Sequence, residues 1–202
     1  MKIYFSPASP FVRKCMVTAI ETGLADRIEK LSSNAHPINR DKIIAAANPL
    51  GQVPTFFTDD GQAIYDSRVI CEYLNSLAGA ELYPADSKLR WEVLTEQSLA
   101  DGILDAALLA RYEEVARPEP LRWQDWAQSQ MGKIADSLDY FESAIKQRGD
   151  QLDIGTITLG CALGYLDFRF PDYDWRTARP LLTAWFAEFN QRPSMQQTLP
   201  SV

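Results

Sequence analysis

Every strand signal in this 202-residue chain falls within its first 65 residues, and the remainder reads as helix alone. Such a switch fits a mixed α/β unit followed by a helical one. In the first part, Lys2–Phe5 and Ile28–Leu31 are short strand candidates on either side of a helical pattern that runs from Pro10 to about Leu24. A strand, a helix and a second strand in that order can form a right-handed βαβ crossover. A short helix is expected over Asp41–Ala47. Thr55–Phe57 and Ala63–Tyr65 then flank Asp59-Asp60-Gly61, a hairpin signature. A further helix follows, with Val69, Ile70, Tyr73, Leu74 and Leu77 on one face and Ser67 as its expected N-cap.

Beyond Gly79 four helices are expected. They are Lys88–Arg117, closed by Pro118; Leu121–Arg148; Asp153–Phe170, apolar nearly all round and therefore central; and Pro180–Gln191, stopped by Pro193. The expected division is a domain over residues 1–79, a linker over 80–85 and a helical domain over 86–202.

Composition narrows the function classes. Hydrophobic residues make up 46% of the chain, enough for a sizeable core. Against 20 basic residues stand 27 acidic ones, a net charge of −7, with no basic cluster. That balance argues against nucleic acid or an anionic membrane surface as partner. No apolar run approaches the roughly 20 residues of a membrane span, and the first residues lack a signal-peptide core. Cys15, Cys71 and Cys161 are odd in number, widely spread and set in apolar helical patterns. They are expected to be buried free thiols, which suits a reducing cytoplasm. His36 is the single histidine, which argues against a histidine triad or a multi-histidine metal site.

Three places carry possible chemistry. Ser9 stands where a helix begins, with Pro10 at its first position and Val12, Cys15, Met16, Ala19 and Ile20 on one buried face. Its hydroxyl is either a simple cap or a donor placed where free N–H groups and the helix dipole favour an anion. Val53-Pro54 is either a trans turn or a cis step that presents the Val53 backbone as a free strand edge. Asp66-Ser67 either caps a helix or holds an amino-acid head group, the carboxylate taking an ammonium and the helix N-terminus a carboxylate.

In this order Ser9-Pro10-Phe11, Asn48-Pro49-Leu50-Gly51-Gln52-Val53-Pro54 and Asp66-Ser67-Arg68-Val69-Ile70 resemble the cytosolic glutathione transferase family. Leu99–Ala106 and Cys161–Arg169 extend the resemblance through the second half. It implies a thioredoxin-like domain with a mixed four-stranded sheet, an all-α second domain and a homodimer. It also implies glutathione as co-substrate with no permanently bound cofactor or metal. By that resemblance Val53 pairs with the cysteinyl part and Pro54 is cis. Asp66 and Ser67 hold the γ-glutamyl head, and Gln52, where many relatives have lysine, reaches the glycine carboxylate. Asp101 either approaches the γ-glutamyl ammonium from the other subunit or occupies a solvated or N-cap-like position.

Ser9 is then nearest the thiol, with Ser6 as its substitute. Serine cannot form a mixed disulfide, and Ser9 and Val12 occupy the two cysteine positions of a C-P-x-C motif, so thiolate stabilisation is the chemistry that remains. A charged hydrogen bond is worth about 1.5–3 kcal/mol and a helix terminus roughly 0.3–1. Together they would lower a thiol pKa near ~8.5 by about one to two units. Phe11, Leu104, Leu108, Tyr112, Tyr165 and Phe168 either line an electrophile pocket between the domains or pack the core. The implied activity is detoxifying conjugation to a small apolar electrophile. The alternatives are a glutathione-dependent peroxidase or isomerase, and a non-enzymatic interaction module. One departure concerns Asp153-Ile154-Gly155-Thr156, where relatives carry Ser/Thr first and Asp last. The reversed order is expected to lose the return bond of the helix cap.

Overall fold

The computed structural model describes residues 1–201. Strands β1 (Lys2–Phe5), β2 (Glu29–Ser32), β3 (Phe56–Phe57) and β4 (Ala63–Ile64) form one sheet in the order β2-β1-β3-β4. β1 pairs in parallel with β2, Ile3 opposite Lys30, and antiparallel with β3, Ile3 opposite Phe56. β3 and β4 pair antiparallel, Phe56 opposite Ile64. The parallel pair is joined through α1 (Pro10–Glu21), because parallel neighbours need a crossover. Helices α2 (Lys42–Ala47) and α3 (Ser67–Ala78) complete this part. Ile3 and Phe56 point from the sheet into the same core as Val12 and Val17 of α1 and Ile70 and Leu74 of α3. Gly79 closes α3 at φ 63°, a left-handed geometry that glycine adopts without a Cβ penalty.

The helices after residue 86 are α4 (Ser87–Val115), α5 (Gln124–Arg148), α6 (Ile154–Arg169), α7 (Pro180–Phe189) and α8 (Pro193–Gln196). The architecture is thus a thioredoxin-like α/β domain followed by an all-helical one. α6 is central, as its all-round apolar pattern requires: it packs on α4, α7 and, across the two parts, α1. Gly160 and Gly164 make those approaches possible. A Cβ at Gly160 would meet the Phe189 ring at 2.6 Å, and one at Gly164 would collide with the Arg13 guanidinium. Glu142 of α5 accepts from Leu181 N and Leu182 N, supplying the cap that α7 lacks in its own sequence.

Several local expectations are corrected. Asp66, not Ser67, is the N-cap of α3: its Oδ1 accepts from Arg68 N at 2.9 Å, and Ser67 is the first helical residue. α5 begins at Gln124, and Glu119–Leu121 forms a separate 3₁₀ turn. Pro193 does not merely stop a helix; it opens α8, where its missing N–H costs nothing. The cap of α6 does not lose its return bond. Asp153 Oδ1 accepts from Thr156 N at 3.0 Å and Thr156 Oγ1 accepts from Asp153 N at 3.0 Å. A hydroxyl at the fourth position therefore completes the box as a carboxylate would. Its other oxygen, Asp153 Oδ2, binds Arg148, whose Nε lies 3.1 Å from Glu96. This buried cluster joins α4, α5 and α6.

Candidate active site

Sheet register brings three loops to one edge. Tyr4 N donates to Thr55 O at 2.9 Å, so the end of β1 stands beside the loop before β3. Ile64 opposes Phe56, so the residues that follow β4 return to the same edge. The Ser6–Ser9 turn, Val53-Pro54 and Asp66-Ser67 are therefore neighbours. The Cys15 thiol of α1 also points at Ser67 O, at 3.8 Å.

Ser9 is half-buried and caps α1, its Oγ accepting from Val12 N at 3.3 Å. Among the described residues its O–H has no acceptor. Ser6 plays another part. Its carbonyl accepts from Ser9 N at 3.1 Å. It lines a cavity of about 60 Å³ with Pro7, Arg13, Lys30 and residues 197–199.

The Val53–Pro54 peptide is cis. Buried Asn48 and Thr55 hold this loop from behind: Asn48 Nδ2 donates to Thr55 Oγ1 at 3.0 Å, and Thr55 Oγ1 donates to Gln52 O at 2.7 Å. The Val53 N–H and C=O face away and have no partner among the described residues. Gln52 is exposed nearby. At α3, Asp66 is exposed and Ser67 buried, and the first-turn N–H groups of Ser67 and Val69 lack intrahelical acceptors.

Asp101 is neither solvated nor directed outward. It is buried in its own chain, with Oδ1 2.6 Å from Lys14 Nζ and Oδ2 3.1 Å from Arg68 Nε. Both its oxygens are occupied, so the expectation that it reaches another subunit's ligand is corrected. The ion pair instead ties α1 to α4 across the two domains.

The expected electrophile pocket is brought together only in part. Leu104 is 0% exposed and belongs to the core, so it does not line a pocket. Tyr165 is also buried, while Phe11, Leu108 and Phe168 are half-buried against the core and Tyr112 is exposed. Tyr112 also borders a separate cleft of about 360 Å³ with Ile38, Leu109 and Trp126. Glu96 of α4 lies beside Gly155 of α6, and the two helices pack together. Arg13 and Lys14 of α1 meet this pair at Gly164 and Asp101.

Arg111 of α4 and Arg169 of α6 are both half-buried. Burial, and then the Arg111 cation, lower the pKa of Arg169. Burial raises that of Tyr165, while Arg111 and Arg169 pull it down. Arg169 Cζ stacks 4.0 Å from the Phe168 ring centroid, and its buried Nε has no partner. Among the functional candidates, Lys14, Asn48, Arg111 and Arg169 were not singled out from sequence. For the two arginines a signal was present. Arg111 is three residues after Leu108 and Arg169 four after Tyr165, the spacings that share a helix face.

The chain is of the class that sets a thioredoxin-like sheet domain, with a cis-proline loop and two helix N-termini at one end, against an all-helical domain. Sequence models of the glutathione S-transferase N-terminal and C-terminal domains match residues 8–77 and 124–188. The chain is 35% identical to the GST-like protein YibF of Escherichia coli (strain K12), over 99% of this chain and 98% of that one. A glutathione transferase family member from Pseudomonas fluorescens Pf-5, solved with bound glutathione, is 44% identical. It superposes with a TM-score of 0.96 over 100% of this chain and 99% of that one. Another structure from that organism, with bound S-(propanoic acid)-glutathione, gives 0.92 at 44% identity, over 100% of both chains. A glutathione S-transferase from Methylobacillus flagellatus, solved with glutathione bound, gives 0.89 at 31% identity, over 99% of both. The chain belongs to the glutathione S-transferase family.

Proposed function

We propose that this protein is a glutathione transferase that lowers the pKa of the glutathione thiol through Ser9 and directs the thiolate at an electrophile held between the domains. The observation that carries the reading is the Ser9 O–H. It sits at the N-terminus of α1 with no acceptor among the described residues, on the edge that also holds the free Val53 backbone and the start of α3. In this reading Val53 pairs with the cysteinyl backbone, strand to strand. Asp66 takes the γ-glutamyl ammonium, the first turn of α3 at Ser67 takes its carboxylate, and exposed Gln52 reaches the glycine carboxylate. Ser9 remains neutral and donates to the sulfur. The thiol proton leaves to solvent, and the thiolate attacks. The bound thioether in the Pseudomonas fluorescens relative contains the C–S bond that such a reaction makes. Half-buried Phe11, Leu108 and Phe168 support an electrophile with an apolar body.

A cytoplasmic homodimer completes the reading. Three buried free thiols fit a reducing compartment. Val69 and Leu77 leave an exposed apolar strip on α3 for a second copy.

The test is Ser9→Ala, followed by calorimetric binding of glutathione and by the pH dependence of conjugation. Binding should change little. The rate at neutral pH should fall roughly ten- to a hundredfold, matching a charged hydrogen bond of about 1.5–3 kcal/mol, and the alkaline limb should move up by about one to two units. An unchanged pH profile would remove Ser9 from the chemistry.

A further inference from the structure

Four cationic side chains are buried among the described residues: Arg13, Lys14, Arg148 and Arg179. Three of them meet carboxylates. Lys14 meets Asp101, Arg148 meets Glu96 and Asp153, and Arg179 meets Asp139. Arg13, only 5% exposed, meets neutral groups alone. Its Nη2 donates to Met195 O at 3.1 Å and its Nε to Thr198 Oγ1 at 3.4 Å, while its Nη1 has no partner among the described residues. A buried charge is costly unless an opposite charge matches it. Beside Arg13 lies the cavity of about 60 Å³ that Phe5, Ser6, Lys30 and residues 197–199 also line. Its walls carry two cations and no acidic residue. Lys30 is unmatched as well. Its Nζ stands 4.6 Å from the Phe5 ring centroid, whereas the neighbouring Lys2 and Glu29 match each other at 3.0 Å. A water molecule takes up roughly 30 Å³ of the liquid, so the cavity has the size of a compact ion and not of an organic molecule.

We propose that this cavity binds a divalent oxyanion, a free ion of the phosphate or sulfate kind, between Arg13, Lys30 and Ser6. The guanidinium and the ammonium supply two positive charges for its two negative ones, and charge-assisted hydrogen bonds of this type are the strong ones. Half-buried Ser6 adds a neutral hydroxyl donor. The bound ion gives the Arg13 charge the partner it lacks, and it ties residues 197–199 to the turn between β1 and α1. None of the residues assigned to glutathione lines this cavity. The site therefore goes beyond the transferase reading and does not depend on it.

The experiment titrates inorganic phosphate into the protein by calorimetry and follows melting in phosphate, sulfate, acetate and chloride at equal ionic strength. Phosphate and sulfate should each bind one ion per chain and raise the melting temperature with the logarithm of their concentration. Acetate and chloride should not. Both divalent ions also stabilise proteins in general, by exclusion from the surface, so the rise is read as the native protein minus Lys30→Gln. Lys30→Gln should weaken phosphate binding about tenfold or more, as the loss of a charged hydrogen bond does. Ser6→Ala should weaken it less, and Arg13→Gln should abolish it. Lys30 is exposed, so its variant decides the matter if Arg13→Gln does not fold. Phosphate that acts no better than chloride would overturn the site, and so would an unchanged affinity in Lys30→Gln. Glutathione should still bind to the phosphate-saturated protein. If it displaces the ion, the ion is seated on the glutathione edge and the cavity site is overturned.

Discussion

The Lys14 ammonium lies 2.6 Å from the Asp101 carboxylate, both side chains are closed off from solvent, and the pair joins the first helix of the sheet domain to the longest helix of the other. Burying two charges is favourable only when each is matched, and removing one partner strands the other. Lys14→Met should therefore destabilise the protein by about 3 kcal/mol, because Arg68 remains on Asp101 but is half in water. Lys14→Met with Asp101→Leu should recover most of the loss. Urea unfolding of the four proteins of this cycle measures the coupling, and additive losses would show that the pair is not a unit.

Replacing Ser9 by cysteine changes the reaction available at the same place. A thiol at the N-terminus of α1 would be acidified by the helix and could exchange with glutathione disulfides. Ser9→Cys should gain glutathione-dependent reduction of a small mixed disulfide. A thiol that is alkylated readily but shows no exchange would place the residue away from the ligand sulfur.

Stability in acid should depend on Glu21. Burial by itself would raise its pKa, but hydrogen bonds from Arg192 and Ser194 outweigh that and leave it below its ordinary 4.5. A carboxylate with a lowered folded pKa adds stability above its unfolded pKa and loses it as the pH falls through the folded one. Native stability should thus decline as the pH drops from about 5 towards 3. Glu21→Gln should be less stable at neutral pH by about 1 kcal/mol and show a flatter acid limb. Parallel pH curves for the two proteins would contradict this.

At Gly160, α6 lies directly against Phe189, the last residue of α7. In Gly160→Ala the new methyl would sit 2.6 and 2.8 Å from Phe189 ring atoms. Such overpacking costs about 1–3 kcal/mol. The melting temperature should fall, and Phe189→Leu in the same background should restore part of it. A glycine chosen only for helix flexibility would instead give a more stable alanine variant, since alanine is the better helix former.

Much of the fold was legible because its elements are set by local patterns. Ser9 and Pro10 open α1, the apolar run of Asp153–Phe170 gives the central helix, and Asp59-Asp60-Gly61 turns the hairpin. Errors came at boundaries where two residues compete for one role. Asp66 and Ser67 are both good caps, and the chain used the first. Thr156 was expected to fail as the return partner because it lacks a carboxylate, yet its hydroxyl reaches Asp153 N.

The sequence by itself determined the order of elements, the buried thiols and the serine at the start of α1, since each follows from periodicity, capping or residue chemistry within a few positions. Tertiary structure decided what lies between distant segments. Asp101 could be read as solvated until α1 brought Lys14 against it. Leu104 could line a groove until the packed core closed over it. Arg13 and Gly164 are 151 residues apart in the chain, so only the packing of α1 on α6 sets the Arg13 guanidinium where a Cβ at Gly164 would stand.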